Sequence, residues 1–502
     1  MKSVGVLLLL GVWSSCTGTI GEPGGRPSSG PRSVTPRRFD VALVARDSAS
    51  SVERVSFAIP LSRGVVVDDR AVQVFVGDRE LPAASRILAR YPDDSARSIQ
   101  VQADVDIGAH DELRIELGET GRGGLELVPV EDTLEGAGSE TRPRVWVVLP
   151  AEVLAASTLT GPALPRDAID EPALEVWDRI CNYQRWNTDI FVQEASTAQV
   201  WLFDRVTSMY RGYAITGELS PLESAYREAA MYRDAIRFTP DGDISSIGVP
   251  GAGTDLKYHY AQGMALHYLL TGDDRFREAA EAISRKVAKL WDPHYDGSDK
   301  FWTERHAGFA LLAHEWANRV SDDQRVETAA RSDAAITAYL DAQLAPRFGQ
   351  ADPTARCFAH TSAAHGESWS ASGCSPWMSA ILADGLDAYA RRVGGDRAVE
   401  VNSALVRLGR IIARDGRDDS GRPLYWMGVG GKRGERDQND EHWGESAYVV
   451  ALAWAASDRS EDELRVAADE LVAGLGQHGK TEHLRSFNWQ CRSAVMTPAL
   501  LQ

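Results

Sequence analysis

Five of the chain's eleven histidines, His259, His306, His360, His365 and His442, stand in or next to polar stretches that each lead into an apolar segment. GVPGAGTDLKYHY carries Asp255, Lys257, Tyr258 and His259, and HYDGSDKFWTERH carries Trp302, Glu304, Arg305 and His306. RCFAHTSAAHGESWSASGCSPW carries His360, His365, Glu367, Trp369 and Trp377. YWMGVGGKRGERDQNDEHWGES carries Tyr425, Trp426, Glu441, His442, Trp443 and Glu445. These residue types suit two chemistries. An elimination beside a carboxylate needs a base for the adjacent proton, a cation for the developing charge and an acid for the leaving oxygen. His259 or His306 fits the base, Arg305 the cation and Tyr258 the acid; His442 is a further candidate. A hydrolysis needs two carboxyl groups, ~5–5.5 Å apart for retention or ~6.5–9.5 Å for inversion. Glu304 with Glu441, or Glu367 with Asp255, fits that need, and the spacing does not choose between the two. The plainer expectation for each is structural. A histidine at a helix start caps or packs, Glu304-Arg305 forms an ion pair at a helix N-terminus, and Trp443 is core.

Such side chains need elements to hold them. Residues 39–128 alternate apolar and polar in short runs, FDVALVAR, RVSFAIPL, VQVFVGDREL, SIQVQADVDI and ELRIELGE, the period of half-buried strands. A small antiparallel β domain is expected there, then a Pro-, Glu- and Ala-rich connector over 129–170 with one strand-like piece, VWVVLP. From 171 to 502 the period is helical, and one unit recurs: an apolar helix, a short turn with Gly or Asp, an amphipathic helix. KYHYAQGMALHYLLTGDDRFREAAEAISRKVAKLW is one copy. Its second helix puts Phe276, Ala280, Ile283, Val287 and Leu290 on one stripe, while its first is apolar nearly all round, so the first is buried and the second half-exposed. Turns near 217, 272, 322, 395 and 458 are spaced too widely for common helical solenoids. Buried inner helices inside half-exposed outer ones predict an α+β chain whose larger part is an α/α toroid of five or six hairpins. In a ring, the stretches preceding the inner helices gather at one rim.

The β pattern with SFAIPLSRGVV (56–66), followed by helices such as YHYAQGMALHYLLTGD (258–273), resembles the exo-rhamnogalacturonan lyase-like family. Where that family tends to have Trp-x-Asp-Gly-Ser, this chain has Tyr91-Pro92-Asp93-Asp94-Ser95. The resemblance implies a carbohydrate-active enzyme, a polysaccharide lyase or a glycoside hydrolase, acting on a uronate-containing polysaccharide or oligosaccharide; a glycan-binding protein without chemistry is the alternative. Trp302, Trp369, Trp426 and Trp443 would then stack on sugar faces, with Asp255 among the binding residues. No cofactor is expected, and His360, His365 and Glu367 match no metal motif.

The chain begins MKSVGVLLLLGVWSSC. One positive charge, a short apolar run and small residues ending at Cys16 resemble a bacterial lipoprotein signal. Cys16 is the expected lipidation site, 17–38 a Gly/Pro/Ser-rich flexible tether, and the cell envelope, outer membrane favoured, or the medium the expected location. The membrane is then touched through the anchor only. Four cysteines remain. Cys357 and Cys374 suit a local clasp, and Cys181 with Cys491 would join the first and last helical elements; free buried thiols are the other possibility. With 54 Lys and Arg against 72 Asp and Glu the net charge is −18, which speaks against a nucleic-acid partner.

Overall fold

The computed structural model describes residues 34–294, 303–345, 347–368 and 372–502. Cys16, Trp302 and Trp369 lie outside them. Strands β1 (Arg38–Ala45), β2 (Val52–Pro60), β3 (Val72–Val76), β4 (Arg79–Glu80), β5 (Ala83–Arg90), β6 (Ala96–Asp106), β7 (Glu112–Leu117) and β8 (Val145–Val148) build two antiparallel sheets. One runs β8-β1-β7-β3-β4 and the other β2-β6-β5. β1 alternates as its sequence predicts, with Phe39, Val41 and Leu43 buried and their neighbours exposed. β8, the strand-like piece of the connector, is the edge strand beside β1.

β6 is buried on both faces, and the sequence accommodates this with Ser98 and Gln100 at positions that meet the helical part and with Gln102 bonded to Ser56 and Val128. Ser98 Oγ donates to the Leu269 carbonyl at 2.5 Å, and Tyr268 donates its hydroxyl to the Leu88 carbonyl at 3.0 Å. Arg86 reaches the Gly272 carbonyl and Asp274. The β domain therefore sits against the C-terminal end of an inner helix.

Among the described residues, twelve helices make the toroid: α1 (Glu171–Ile180), α2 (Arg205–Thr216), α3 (Leu219–Ala235), α4 (Ala261–Thr271), α5 (Asp274–Leu290), α6 (Glu304–Val320), α7 (Arg325–Leu344), α8 (Pro376–Val393), α9 (Gly395–Asp415), α10 (Trp443–Ala456), α11 (Asp462–His478) and α12 (Leu484–Ser493). The even-numbered helices touch in sequence, α2 to α4 and on to α12, and α12 returns to α2. The ring is closed, with six hairpins, and the odd-numbered helices form its outer layer. α4 and α10 are buried on every side, while α5 buries one stripe, so the expected inner and outer helices are found. Gly217 and Gly272 end α2 and α4 in the left-handed conformation that a residue without Cβ adopts at no steric penalty. Asp273 caps α5 by accepting the Arg275 N–H. Gly308 lets α6 and α8 approach closely, since a Cβ there would meet the Ile381 carbonyl carbon at 2.6 Å.

The two disulfides are Cys181–Cys491, with Cα atoms 5.6 Å apart, and Cys357–Cys374, at 6.4 Å. The first fastens the end of α1 to α12 and so closes the ring covalently. Inside the ring a charged group replaces an apolar plug. Arg211 of α2 holds both oxygens of Asp384 of α8 at 3.0 and 2.9 Å, and Arg492 of α12 reaches the same carboxylate at 3.0 Å. Arg492 also binds Gln262 of α4, and Arg211 the carbonyl of Arg492. Four inner helices are thus tied across the axis by groups that are fully buried and paired.

Candidate functional site: the rim of inner-helix starts

The inner helices begin on the end of the ring opposite the β domain. α6 starts at the N-cap Thr303, α8 at Ser375, α10 at His442 and α12 at His483. Their first turns and the stretches before them hold the residues singled out in the sequence, and the structure divides those residues into three groups.

The first group is spent on holding the rim together. His306 stands in the first turn of α6. Its Nε2 faces Asp255 Oδ1 at 3.1 Å and its Nδ1 faces the Thr303 hydroxyl at 2.6 Å. Burial keeps His306 neutral, at about 4, so Nε2–H donates to the Asp255 carboxylate and the Thr303 hydroxyl donates to Nδ1. Burial would raise Asp255, but His306 and Lys257, the latter at 2.7 Å, hold it ionised below the usual carboxylate range. His259 donates Nδ1–H to the Asp255 carbonyl at 3.2 Å, and its Nε2 is sealed from solvent without a hydrogen-bond partner among the described residues. Burial lowers it to about 4, with Lys286 of the outer helix α5 adding to the effect. Of the two rings expected as the base, His306 is bonded at both nitrogens and His259 is closed off from solvent.

Glu304 is held in a similar way. It is fully buried, accepting from the Ser375 N–H at 2.9 Å and facing His360 Nε2 at 2.7 Å. It fastens α6 to α8 and to the stretch before α8, and offers no oxygen to a ligand. Glu441 is also buried, with Arg485 at 3.8 Å.

The second group points away. Trp443 follows His442 directly, yet it packs against Gly474 of α11 and donates Nε1–H to Asp440. Trp426, on β9 (Leu424–Gly428), is fully buried beside His360 and His365. Neither is a platform for a sugar face.

The third group converges. Arg305 of α6 lies half-buried over the Trp377 ring, 5.8 Å from its centroid. Its Nε has no hydrogen-bond partner, and no carboxylate pairs with it among the described residues. Burial lowers its pKa, and Asp255, Tyr425, Tyr258 and Tyr260 are the groups whose field it feels. Tyr258 and Tyr425 are both raised by burial and so stay protonated, although Arg305 opposes this. Trp377, His442 and Trp489 lie nearly parallel, with centroids 4.6, 4.7 and 5.2 Å apart. Tyr425 flanks His442 at 5.5 Å. His365 stands edge-on to Trp377, Tyr425 and Trp426, and burial followed by the positive field of Arg305 lowers it to about 2.

Trp489 and Phe203, which packs on Trp377 and Trp489, were not legible as site residues. The mixed apolar and polar run 484–493 reads only as a partial helix near the C-terminus, and its pattern does not mark it as an inner helix. No group of three His, Cys, Asp or Glu among the described residues could hold a metal ion. Cavities of ≈ 240 and ≈ 250 Å³ lie elsewhere, beside Trp177 and Tyr183 and beside Tyr226 and His267.

The fold and rim define a six-hairpin α/α toroid with an N-terminal β domain. No protein-family model matches the chain, and no curated protein does. Among solved structures it is similar to a polysaccharide lyase, with TM-score 0.46 and 10% identity over 65% of this chain and 96% of that one. It is also similar to a glycosyl hydrolase family 88 protein from Bacteroides vulgatus, with TM-score 0.46 and 11% identity over 66% and 98%. A sugar epimerase from a ruminal bacterium gives 0.43 and 11% over 60% and 86%. At such values no activity passes from those proteins to this one.

Proposed function

We propose that the chain is a carbohydrate-active enzyme that binds a uronate-containing glycan at the rim and cleaves it by β-elimination. The observation that supports this is Arg305, a half-buried guanidinium without a carboxylate partner among the described residues, set among phenols and indoles. A planar guanidinium binds a carboxylate through two parallel N–H donors. It also stabilises the charge that builds on that carboxylate once the adjacent carbon loses its proton. In this reading Asp255, kept ionised by His306 and Lys257, takes that proton. The electron pair forms the double bond as the C–O bond breaks, and a protonated group beside Tyr425 supplies the leaving oxygen's proton.

Hydrolysis is the second reading. It is favoured by two carboxyls whose environments push them apart, Asp255 downward and Glu445 well upward. The purified protein is incubated with a panel of plant and bacterial polysaccharides. Ultraviolet absorbance of unsaturated uronates reports elimination, and new reducing ends without it report hydrolysis. Arg305→Ala is expected to lower turnover by ~10²–10³, as for a lost charge-stabilising donor. Activity of that variant equal to wild type would remove Arg305 from the site.

We further propose that Cys16 carries lipid and that 17–38 tethers the toroid to the cell envelope. Cys16→Ala is expected to leave the protein in the soluble fraction. Unchanged membrane partition would refute the anchor.

A further inference from the structure

With His259 sealed and His306 bonded at both nitrogens, His442 is an imidazole of the rim with one nitrogen bonded and the other unbonded among the described residues. His442, the N-cap of α10, has Nδ1 3.2 Å from Glu445 Oε1, one turn into the same helix. Its Nε2 is bonded by no group among the described residues. The two side chains are 2% and 3% exposed, too little for water to carry charge on either. Among the described residues Glu445 Oε2 has no donor and no Lys or Arg pairs with the carboxyl. A carboxylate there would be a buried charge without compensation, which is far costlier than the neutral acid.

The neutral acid also resolves the hydrogen bonding. A proton on Oε1 is donated to Nδ1, and Nδ1 as acceptor places the ring proton on Nε2, facing away from Glu445. We propose that His442 and Glu445 together are the general acid of the site, Nε2 giving its proton to the leaving oxygen as Glu445 returns one to Nδ1. The step balances: Nε2–H breaks and an O–H bond forms on the departing group, while the Glu445 O–H breaks and an Nδ1–H bond forms. The pair ends as a carboxylate and a neutral imidazole of the other tautomer, and a proton from solvent resets it. Trp377 and Trp489, both nearly parallel to the ring, and Tyr425 at 5.5 Å fix its plane.

The charged groups around the pair are few. From the stretch before α10 come Asp437, whose carboxylate accepts the His442 N–H at 3.0 Å, and Glu441. From α12 comes Arg485, engaged with Glu441; α8 presents Trp377, over which Arg305 of α6 lies. Burial, then Asp437 and Glu441, raise Glu445 well above the carboxylate range, and burial lowers His442 to about 4. Both directions agree with the neutral pair.

The assignment rests on the proposed glycan cleavage but serves elimination and hydrolysis alike. Glu445→Gln keeps the shape and an N–H donor to Nδ1, and it removes only the transferable proton. On a glycan whose leaving group is a sugar alcohol, turnover is expected to fall by ~10²–10⁴. On an analogue whose leaving oxygen belongs to a nitrophenol, which departs without protonation, it should fall less than ~10-fold. The alkaline limb of the wild-type pH profile should vanish in the variant. Equal losses on both substrates with an unchanged profile would overturn the relay and leave Glu445 a packing residue. A second measurement does not need turnover. The infrared band of a protonated carboxyl, present at neutral pH in the wild type, should be missing from Glu445→Gln of equal melting temperature. If that band is lost while no glycan is cleaved, the function fails and the neutral pair stands; if the spectra coincide, the relay is wrong whatever the protein cleaves.

Discussion

His442 and Trp443 are neighbours in sequence with opposite roles, because successive residues at a helix start diverge by ~100° around the axis. His442 meets Trp377 and Trp489 at the rim, while Trp443 crosses to α11 and leaves Gly474 no room for a Cβ. Trp443→Ala should therefore destabilise the protein by ~3–5 kcal/mol, as large-to-small core changes do, with glycan binding per folded molecule unchanged. Denaturant unfolding and a binding isotherm on the same sample check this, and weakened binding at intact stability would return Trp443 to the rim. This divergence is also why the roles of single residues were hard to read from the sequence. α10 is apolar on all sides, so no stripe says which of two adjacent aromatic side chains faces the axis.

At the level of elements, the rim is held by cross-links between helix starts. Glu304 of α6 receives the Ser375 N–H of α8 and faces His360, and Cys357–Cys374 fastens the two ends of the stretch that carries His360 and His365. Glu304→Ala leaves the partners of a fully buried carboxylate unmatched and should destabilise the protein by ~3–5 kcal/mol. The same substitution should loosen the covering of Trp377 and Tyr425 by His365, seen as faster hydrogen exchange over 358–368. An unchanged exchange pattern would mean the disulfide alone holds that segment. Elements of this size were well marked in the sequence. The strands' period of two, the alternation of all-round and one-sided apolar helices and the position of each cysteine carried the β domain, the ring and both bridges. The partners of Glu304 were not marked, since a hydrogen bond across fifty residues leaves no spacing to read.

Across the whole molecule, burial keeps many histidines neutral. His259, His306 and His442 are held at about 4 and His267 and His314 at about 3, against ~6.5 in an unfolded chain. Below about pH 6.5 the unfolded state therefore binds protons that the folded state refuses, so stability is full above that pH and falls as pH drops toward 4. Asp255, lowered in the fold, acts in the same direction. Glu445, Asp204 and Glu281, raised by burial, act in the opposite one, but with His365, lowered as well, six rings outnumber three carboxyls. The melting temperature should decline steadily between about pH 6.5 and pH 4; a flat profile there would contradict the buried neutral rings. The tie of Arg211, Asp384 and Arg492 across the axis has a kinetic consequence. It blocks the axis of the ring, with the β domain against the far end, so a polymer cannot thread through it. On the proposed cleavage of a glycan at the rim, substrate and product share one side of the ring, so each turnover waits for the fragment to back out and accumulated product competes with the next chain end for the same entrance.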